Sequence, residues 1–484
     1  MILFLIGVVI LIVGGFVYSK ICEKQIEPDD RITPAQSKAD GLDYVGMSKF
    51  KNLLIEVLNI AGTGPILGPI QGILFGPVAF IAIPLGNIFA GSVHDYFNGM
   101  ISMRNGGAQI PRLIQKYLGK PIKAFYNIVI AVLLLLTGVV FIYTPGDLIM
   151  TDILKLDAQN NLIWVVYGII FIYYLLSTIL PIDKIIGRIY PLFGVFLLVS
   201  AIGVFIGILR FGAGNLAFAD FGLLADHPFG QRFIPSFFIT VACGILSGFH
   251  GSQSTLISRT VMKEKEGTMT FYGAMIIEGL IAMCWAGGAM ILFSSGQAGL
   301  DTSATLMVGQ ISRTFMGNIG GLLAVIGVIV LPITSGDTSF RALRLIIAEE
   351  FNISQKESKN RILIAIGIFI PALIILFFAK TDPQGFNKLW RYFGFTNQFV
   401  AIFALAMATS YLYVNKKAFL MTHIPGIFYT FIVFAFILAE KDIGLGIDYT
   451  ISLIIAAVLA AVYGIGVLKI ADNRKEIIPT IHLE

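Results

Sequence analysis

The sequence predicts an all-α integral membrane protein with about thirteen transmembrane helices. Of its 484 residues, 56% are hydrophobic and only 13% are charged, whereas about 25% of the residues in a soluble domain are charged. Apolar runs of roughly 20 residues, long enough to cross a bilayer, recur along the chain. The net charge of +5 is attributed to cytoplasmic loops, where Lys and Arg concentrate in membrane proteins, and not to nucleic acid binding.

The chain opens with an uncharged apolar run, residues 1–19, which Lys20 follows. The run lacks the basic start and the cleavage site of a secretory signal, so it is predicted to be a retained first helix. Further spans are predicted near 51–72, 73–97, 122–146, 161–180, 188–210, 233–257, 271–294, 318–343, 362–379, 395–414, 424–439 and 446–470. If the spans alternate in direction, most of the 34 Lys and Arg residues fall on one side. This distribution predicts an external N-terminus and a cytoplasmic C-terminus; region 51–97 alternatively holds a re-entrant element.

Two predicted spans contain residues that interrupt helices. These are "NIAGTGPILGPIQG", residues 59–72, and "CGILSGFHGSQST", residues 243–255. Irregular backbone at membrane depth persists only where it lines a cavity or is buried in protein. Many secondary transporters bind substrate at such broken helices, and close helix packing through small residues is the alternative.

The two breaks lie five predicted spans apart, which is typical of an inverted repeat. The sequence therefore predicts a leucine-transporter-type core of five plus five helices at 51–414, with discontinuous first and sixth core helices. The repeats would cover about 51–210 and 233–414. Residues 1–50 would form an N-terminal helix and a cytoplasmic loop, and 415–484 two extra helices with a short cytoplasmic tail.

Six motifs carry a family resemblance: "GLDYVGMSKF", "NIAGTGPILGP", "GSVHDYF", "CGILSGFHGSQST", "SGDTSFRALRL" and "FGFTNQFVAIFAL". Together they resemble the carbon starvation protein A (CstA) family. The resemblance implies a bacterial inner-membrane transporter of the amino acid–polyamine–organocation superfamily, associated with peptide utilisation during carbon starvation and with proton-coupled pyruvate uptake. The chain lacks the long C-terminal extension of larger members. It also has Ile55 and Glu56 where those members carry two histidines, so no proton role is transferred there.

A small carboxylate substrate would have to bind without a buried cation, because no Lys or Arg falls near the middle of a predicted span. The N-terminal end of a half-helix, with its free N–H groups, favours an anion. The predicted substrate-binding residues are Asn59, Gly62, Thr63, Gly64, Ser247, Gly248, His250, Ser252, Gln253 and Ser254. A peptide or amino acid would also need an acidic partner for its amine. The resemblance favours pyruvate, with peptides or amino acids second.

Ionisable residues inside a span are costly and indicate function; here they are Glu56, His94, Asp95, His250, Glu278 and Asp337. A coupling site for H⁺ or Na⁺ is predicted at Asp337, Glu278, Thr334, Ser335, Thr338 and Ser339. A cytoplasmic gate is predicted at His94, Asp95, Arg104 and Arg341, with an interfacial salt bridge between Asp95 and Arg104 as the alternative. Glu56 is interpreted as interfacial, and His250 as either a neutral backbone-bonded side chain or a proton carrier. Asp337 either couples transport or forms a structural bridge to Arg341.

Other classes of protein have little support in the sequence. It contains no GxSxG, HExxH or phosphate-binding loop, so an enzyme, a metal site, a cofactor and ATP-driven pumping are not expected. The three cysteines, Cys22, Cys243 and Cys284, form no CxxC pair and are interpreted as packing thiols. The expected partners are a small-molecule substrate, a coupling ion and the lipid bilayer. A channel is the remaining alternative.

Overall fold

The computed structural model describes residues 1–40, 44–179, 183–212, 222–354 and 357–475. Three sequence features therefore lie partly or wholly outside the described residues: the start of "GLDYVGMSKF", the last residue of the predicted span 161–180, and the predicted cytoplasmic tail beyond 475. Within the described ranges the chain is helical, and its one β-type pairing is a bridge between Met47 and Val261. The predicted all-α fold is confirmed.

Sixteen labels cover the principal helices of the described chain. They are α1 (Ile2–Ile26), α2 (Lys49–Ile60), α3 (Gly64–Phe75), α4 (79–104), α5 (Ile110–Tyr117), α6 (Lys120–Ile153), α7 (Ile163–Ile179), α8 (Asp183–Phe211), α9 (Ala242–Ile245), α10 (Gly248–Ile257), α11 (Glu264–Ser294), α12 (Ala304–Glu350), α13 (Ser358–Thr381), α14 (Gly385–Val414), α15 (Leu420–Ala439) and α16 (Tyr449–Arg474). Short helical turns precede α9, at Phe233–Phe237 and Phe238–Thr240.

Within the described ranges, nine helices are long and apolar enough to cross a membrane, or ten if the bent pair α2–α3 counts as one span. The other predicted spans fall on α4, on the shorter apolar helix α7, and on the interrupted segment 233–257. The count of thirteen crossings therefore stays a prediction. Whether the α2–α3 pair crosses the membrane once or forms a re-entrant element is likewise a prediction.

Outward-facing apolar stripes support the membrane assignment. On α16, the side chains of Ile451, Ile454, Val458, Val462 and Ile465 recur at helical spacing, and each is more than half exposed. A soluble protein rarely exposes so continuous an apolar surface. Lipid tails would cover this stripe at no desolvation cost. The chain is a multi-pass membrane protein.

Helix α12 is much longer than the predicted span 318–343. Its N-terminus is capped by Ser303, whose side chain accepts a hydrogen bond from the Leu306 N–H at 3.4 Å. At Gly317 the backbone has φ +68°, a conformation that glycine adopts without steric cost. The apolar run after this kink matched the predicted span, whereas the helix continues on both sides of it.

The two interrupted segments pack against each other in antiparallel directions. Helix α2, which precedes the first break, contacts α10, which follows the second break. Helix α3, which follows the first break, contacts α9, which precedes the second. One close approach is at Gly64, where an added Cβ would lie 2.5 Å from Cys243 Sγ. Only a glycine fits at that point without moving one of the segments. The structure thus shows both predicted breaks and places them side by side.

Asn52 ties the far ends of this pair together. Its side-chain amide donates to the carbonyls of Met47 and Thr260, each at 3.2 Å, and its Oδ1 accepts from the Thr260 hydroxyl at 2.7 Å. The residue is fully buried. Because a buried amide without partners would be costly, this bonding fixes the start of α2 against the end of α10.

Candidate functional site

The second break is held by a residue that the sequence analysis missed. Asn397, on α14, accepts hydrogen bonds at Oδ1 from the Ser247 hydroxyl at 3.1 Å and the Phe249 N–H at 2.9 Å. Its amide donates to Cys243 Sγ at 3.3 Å. The Asn397 side chain therefore occupies part of the N-terminal end of α10, where the sequence analysis placed the substrate carboxylate.

Gly248 lies directly against the backbone of α14. A Cβ added there would be 2.5 Å from the Asn397 carbonyl oxygen and 2.6 Å from the Ala401 nitrogen. Gly62, in the first break, has more room, since its added Cβ would meet only Phe141 within 4 Å, at 3.4 Å. The structure thus gives Gly248 a packing role, and substrate contact at either glycine stays a prediction.

Other predicted binding residues fall into distinct environments. Thr63 Oγ1 is buried next to the first break and has no hydrogen-bond partner in the described structure. Ser254 instead donates to the Gly251 carbonyl of its own helix at 3.3 Å. Ser252 and Gln253 line a cavity described below. Asn59 lies on α2, one residue before that helix ends.

Four ionisable side chains form a buried chain between α4, α10 and α11. His94 Nδ1 lies 2.7 Å from Asp95 Oδ1, His250 Nδ1 lies 3.2 Å from Asp95 Oδ2, and His250 Nε2 lies 3.5 Å from Glu278 Oε1. All four are at most 1% exposed. Asp95 therefore bridges two imidazoles, and His250 connects it to Glu278. We call His94, Asp95, His250, Glu278 and the nearby Glu56 the acidic cluster.

Glu56 joins the acidic cluster from the first broken helix. It is completely buried, its carboxyl group interacts electrostatically with Asp95, and neither of its oxygens has a hydrogen-bond partner among the described residues. Glu56 is buried because the chain enters the protein interior before the apolar run begins, as the burial of Asn52 shows. Its interfacial depth stays a prediction.

The predicted pairing of Asp95 with Arg104 was also wrong. Helix α4 continues without interruption to Arg104, and nine residues at 1.5 Å per residue separate the two by about 13 Å. Arg104 instead pairs with the buried Glu264 at 2.6 Å and also bonds to Tyr411. His94 and Asp95 are thus part of the buried site, and a gating role is left for Arg104.

Asp337 lies away from the acidic cluster. It accepts hydrogen bonds from the Ser177 hydroxyl on α7 and from Arg341, whose NH2 is 3.1 Å from Asp337 Oδ2. The hydroxyls of Thr334, Thr338 and Ser339 donate to carbonyls of their own helix, whereas Ser335 Oγ is buried without a hydrogen-bond partner. This geometry matches the structural bridge, and the coupling role of these residues stays a prediction.

We expect Asp337→Asn to lower the free energy of unfolding by about 1 kcal/mol, the usual contribution of a partly exposed charged hydrogen bond. Thermal unfolding in detergent measures this, and the double variant with Arg341→Gln should be less destabilised than the sum of the single variants. Unchanged stability combined with loss of gradient-driven accumulation would instead identify Asp337 as the coupling residue.

Two cavities open at opposite ends of the broken helices. The Lys380 vestibule, of about 760 Å³, is lined by Gln71, Tyr143, Asp147, Thr240, Lys380 and Arg391, among others. The Arg259 vestibule, of about 240 Å³, is lined by Lys123, Ser252, Gln253, Arg259, Arg341 and Glu349, among others. Helix α6 contributes its C-terminal part to the first vestibule and its N-terminal part to the second. The acidic cluster and both breaks therefore lie between two entrances.

The sequence analysis also missed a buried ion pair in the Lys380 vestibule. Lys380 Nζ lies 2.7 Å from Asp147 Oδ1, and both side chains are less than a tenth exposed. Each residue directly follows a predicted span, 122–146 or 362–379, and no role was predicted for either. The available signal was that two opposite charges occupy span ends predicted to lie on the same side.

These features define a class, a multi-pass membrane protein with a transporter fold. Over 90% of its length the chain superposes on two mutant structures of a manganese transporter from Eremococcus coleocola, each with a TM-score of 0.60 and 97% of that chain covered. The sequence identities are 11% and 12%, so this likeness concerns the fold alone. In the described residues, no three His, Cys, Asp or Glu side chains are arranged to hold a metal ion.

The sequence places the chain within a family. The model of carbon starvation protein CstA matches residues 1–144, 120–316 and 286–435, so the chain belongs to the CstA family. A membrane protein of Haemophilus influenzae is 44% identical to this chain in a match that covers 62% of this chain and 93% of that protein. A protein named peptide transporter CstA from Bacillus subtilis is 23% identical in a match that covers 87% of this chain and 86% of that protein. The predicted family is confirmed.

Proposed function

We propose that this chain is a proton-coupled secondary transporter of the bacterial inner membrane that imports small peptides or amino acids. The observation that carries the proposal is the acidic cluster, which lies beside both helix breaks and between the two vestibules. An alternating-access transporter needs a central site that is reached from each side in turn. The fold likeness to a transporter and the family membership support the same class.

The composition of the acidic cluster supports proton binding. Glu56, Asp95 and Glu278 are acids, while His94 and His250 are its only bases, and no described Lys or Arg forms an ion pair with it. A buried carboxylate without a partner is strongly disfavoured. Glu56, whose oxygens have no hydrogen-bond partner among the described residues, would therefore hold a proton in the empty state, and Glu278 would share one with His250. Release of the Glu278 proton through His250 would couple its movement to that of the substrate.

The cluster also favours a substrate with an amine. A peptide or amino acid brings an ammonium group, which the carboxylate of Glu56 would pair with. At the second break Asn397 already accepts from the Phe249 N–H, so less of that helix end is available to a carboxylate. The relatives named peptide transporter CstA agree with this substrate class.

Pyruvate or a similar monocarboxylate is the second candidate. It is favoured by the buried Thr63 hydroxyl, which has no hydrogen-bond partner in the described structure and lies at the start of α3. Such a hydroxyl, together with the N–H of Gly64, would suit a small anion. Sodium would replace the proton if Ser335, another buried hydroxyl without a hydrogen-bond partner in the described structure, contributed to a cation site.

The proposed topology has thirteen crossings, an external N-terminus and a cytoplasmic C-terminus, with a core of two inverted five-helix repeats. The antiparallel packing of the two broken helices supports inverted repeats. In this topology the Lys380 vestibule faces outward and the Arg259 vestibule faces the cytoplasm.

Uptake into proteoliposomes tests the proposal. Labelled alanyl-alanine, alanine and pyruvate are each offered under an inward proton gradient, an inward sodium gradient, or no gradient. We expect proton-driven accumulation of the dipeptide or of alanine, with no sodium requirement. Accumulation of pyruvate alone would contradict peptide transport and support the pyruvate transporter. Accumulation driven only by sodium would exclude proton coupling.

A further inference from the structure

The Lys380 vestibule contains charges of both signs at separate positions. Asp147 and Lys380 form the buried pair described above, and Lys380 Nζ also lies 4.9 Å from the centre of the Tyr143 ring. An ammonium in this position is attracted by the face of the aromatic ring. The side chain of Lys380 thus has a second favourable partner if its ion pair with Asp147 opens.

Arg391 is the second charged feature of this cavity. Its NH2 forms an ion pair with Glu440, while its Nε is buried and has no hydrogen-bond partner in the described structure. The residue lines both the Lys380 vestibule and an adjoining cavity of about 930 Å³. A guanidinium that lines a cavity is suited to bind a carboxylate there, since it presents several N–H donors.

We propose that the Lys380 vestibule is a first binding site for zwitterionic substrates, in which Asp147 binds the ammonium group and Arg391 the carboxylate. Lys380 occupies the ammonium position while the site is empty and moves toward Tyr143 when substrate enters. The substrate class, small peptides, rests on the proposed function. The volume lies within the range of about 300–1,000 Å³ that is usual for ligand sites.

The position of this site relative to the breaks gives it a place in the transport cycle. Gln71, on α3, and Thr240, just before α9, line the same cavity. These residues belong to the two segments whose breaks adjoin the acidic cluster. A substrate bound between Asp147 and Arg391 would therefore lie next to the broken helices before it enters the central site. A simple anion would engage only Arg391 and leave the Asp147–Lys380 pair closed.

A fluorescent probe in the vestibule tests this inference separately from transport. Gln159 is exposed and lines the vestibule, and the native cysteines Cys22, Cys243 and Cys284 are buried. Gln159→Cys in the full chain is labelled with an environment-sensitive dye and titrated with alanyl-alanine, its N-acetylated form and its C-amidated form. We expect a saturable response to the free dipeptide and at least tenfold weaker binding of each blocked form.

Two variants test whether Arg391 binds the carboxylate of the peptide and Asp147 its ammonium group. Arg391→Gln should weaken binding of the free dipeptide about tenfold but should not further weaken binding of the C-amidated form. Asp147→Asn should also weaken binding of the free dipeptide about tenfold, but should not further weaken binding of the N-acetylated form. Lys388→Gln, which removes a cation from the same helix, is the matched control and should bind normally. If Arg391→Gln folds poorly, the charge-neutral double variant Arg391→Gln/Glu440→Gln replaces it.

The outcomes separate this inference from the proposed function. A dipeptide response with the expected variant pattern supports the vestibule site even if no dipeptide accumulates in proteoliposomes, in which case only the proposed function fails. Dipeptide accumulation without a saturable probe response overturns the vestibule site. Equal weakening of free and C-amidated peptide by Arg391→Gln overturns the carboxylate assignment.

Discussion

In proteoliposomes with a proton gradient of about two pH units, the Glu278→Gln protein is expected to equilibrate dipeptide without accumulating it. A gradient of this size, coupled one proton to one substrate, supports an accumulation ratio of about 100. Glutamine keeps the shape of Glu278 but cannot take up or release a proton. The ratio should therefore fall to about 1. Exchange of internal for external dipeptide should continue, because it requires no net proton movement.

The control for this prediction lies on the same helix. Glu266→Gln removes a carboxylate near the start of α11, where it is only partly buried, and should leave the accumulation ratio unchanged. A Glu278→Gln protein that accumulates dipeptide like the wild type would exclude Glu278 as the coupling group. Loss of both accumulation and exchange would show that Glu278 binds substrate and does not act in coupling alone.

Gly248→Ala is expected to reduce the initial rate of uptake to less than a tenth of the wild-type rate. The added methyl group would collide with backbone atoms of α14 at 2.5 and 2.6 Å, and backbone cannot move aside as a flexible side chain would. Forcing α10 away from α14 would displace His250, two residues on, relative to Asp95. Overpacking of this kind typically costs about 1–3 kcal/mol, which thermal unfolding in detergent would detect.

Gly62→Ala provides the comparison. Its added Cβ would make an ordinary contact of 3.4 Å with Phe141, so the protein should keep its stability and most of its uptake. If Gly62→Ala abolishes uptake in a stable protein, the glycine is needed for substrate approach or for backbone movement. If Gly248→Ala transports normally, the close packing of α10 on α14 is not important for function.

The helix breaks were predictable from sequence because their cause is local. Glycine and proline weaken a helix wherever they occur, so the clusters around Gly62 and Gly248 marked the breaks without any knowledge of the fold. Gly317 was missed by the same reasoning, since a single glycine inside an apolar run gives only a weak signal. Helix ends outside the apolar runs depend on caps such as Ser303. On α12 the predicted span therefore starts after the true helix start and stops before the true helix end.

The composition of the site was not predictable, because it depends on contacts between distant segments. His250 was recognised as a candidate, but its position between Asp95 and Glu278 requires that α4, α10 and α11 meet. Asn397 stood in a quoted motif without an assigned role, since nothing local shows that its amide reaches the second break. The burial of Glu56 by protein was likewise not predictable, because it depends on the helices that surround the end of its span.

Coupling of proton entry to substrate entry by the acidic cluster can be tested by measuring the proton itself. Proteoliposomes containing a trapped pH-sensitive dye are given alanyl-alanine without any imposed gradient. We expect saturable acidification of the lumen with the wild-type protein and none with Glu278→Gln. Dipeptide entry into wild-type vesicles without acidification of the lumen would contradict this coupling.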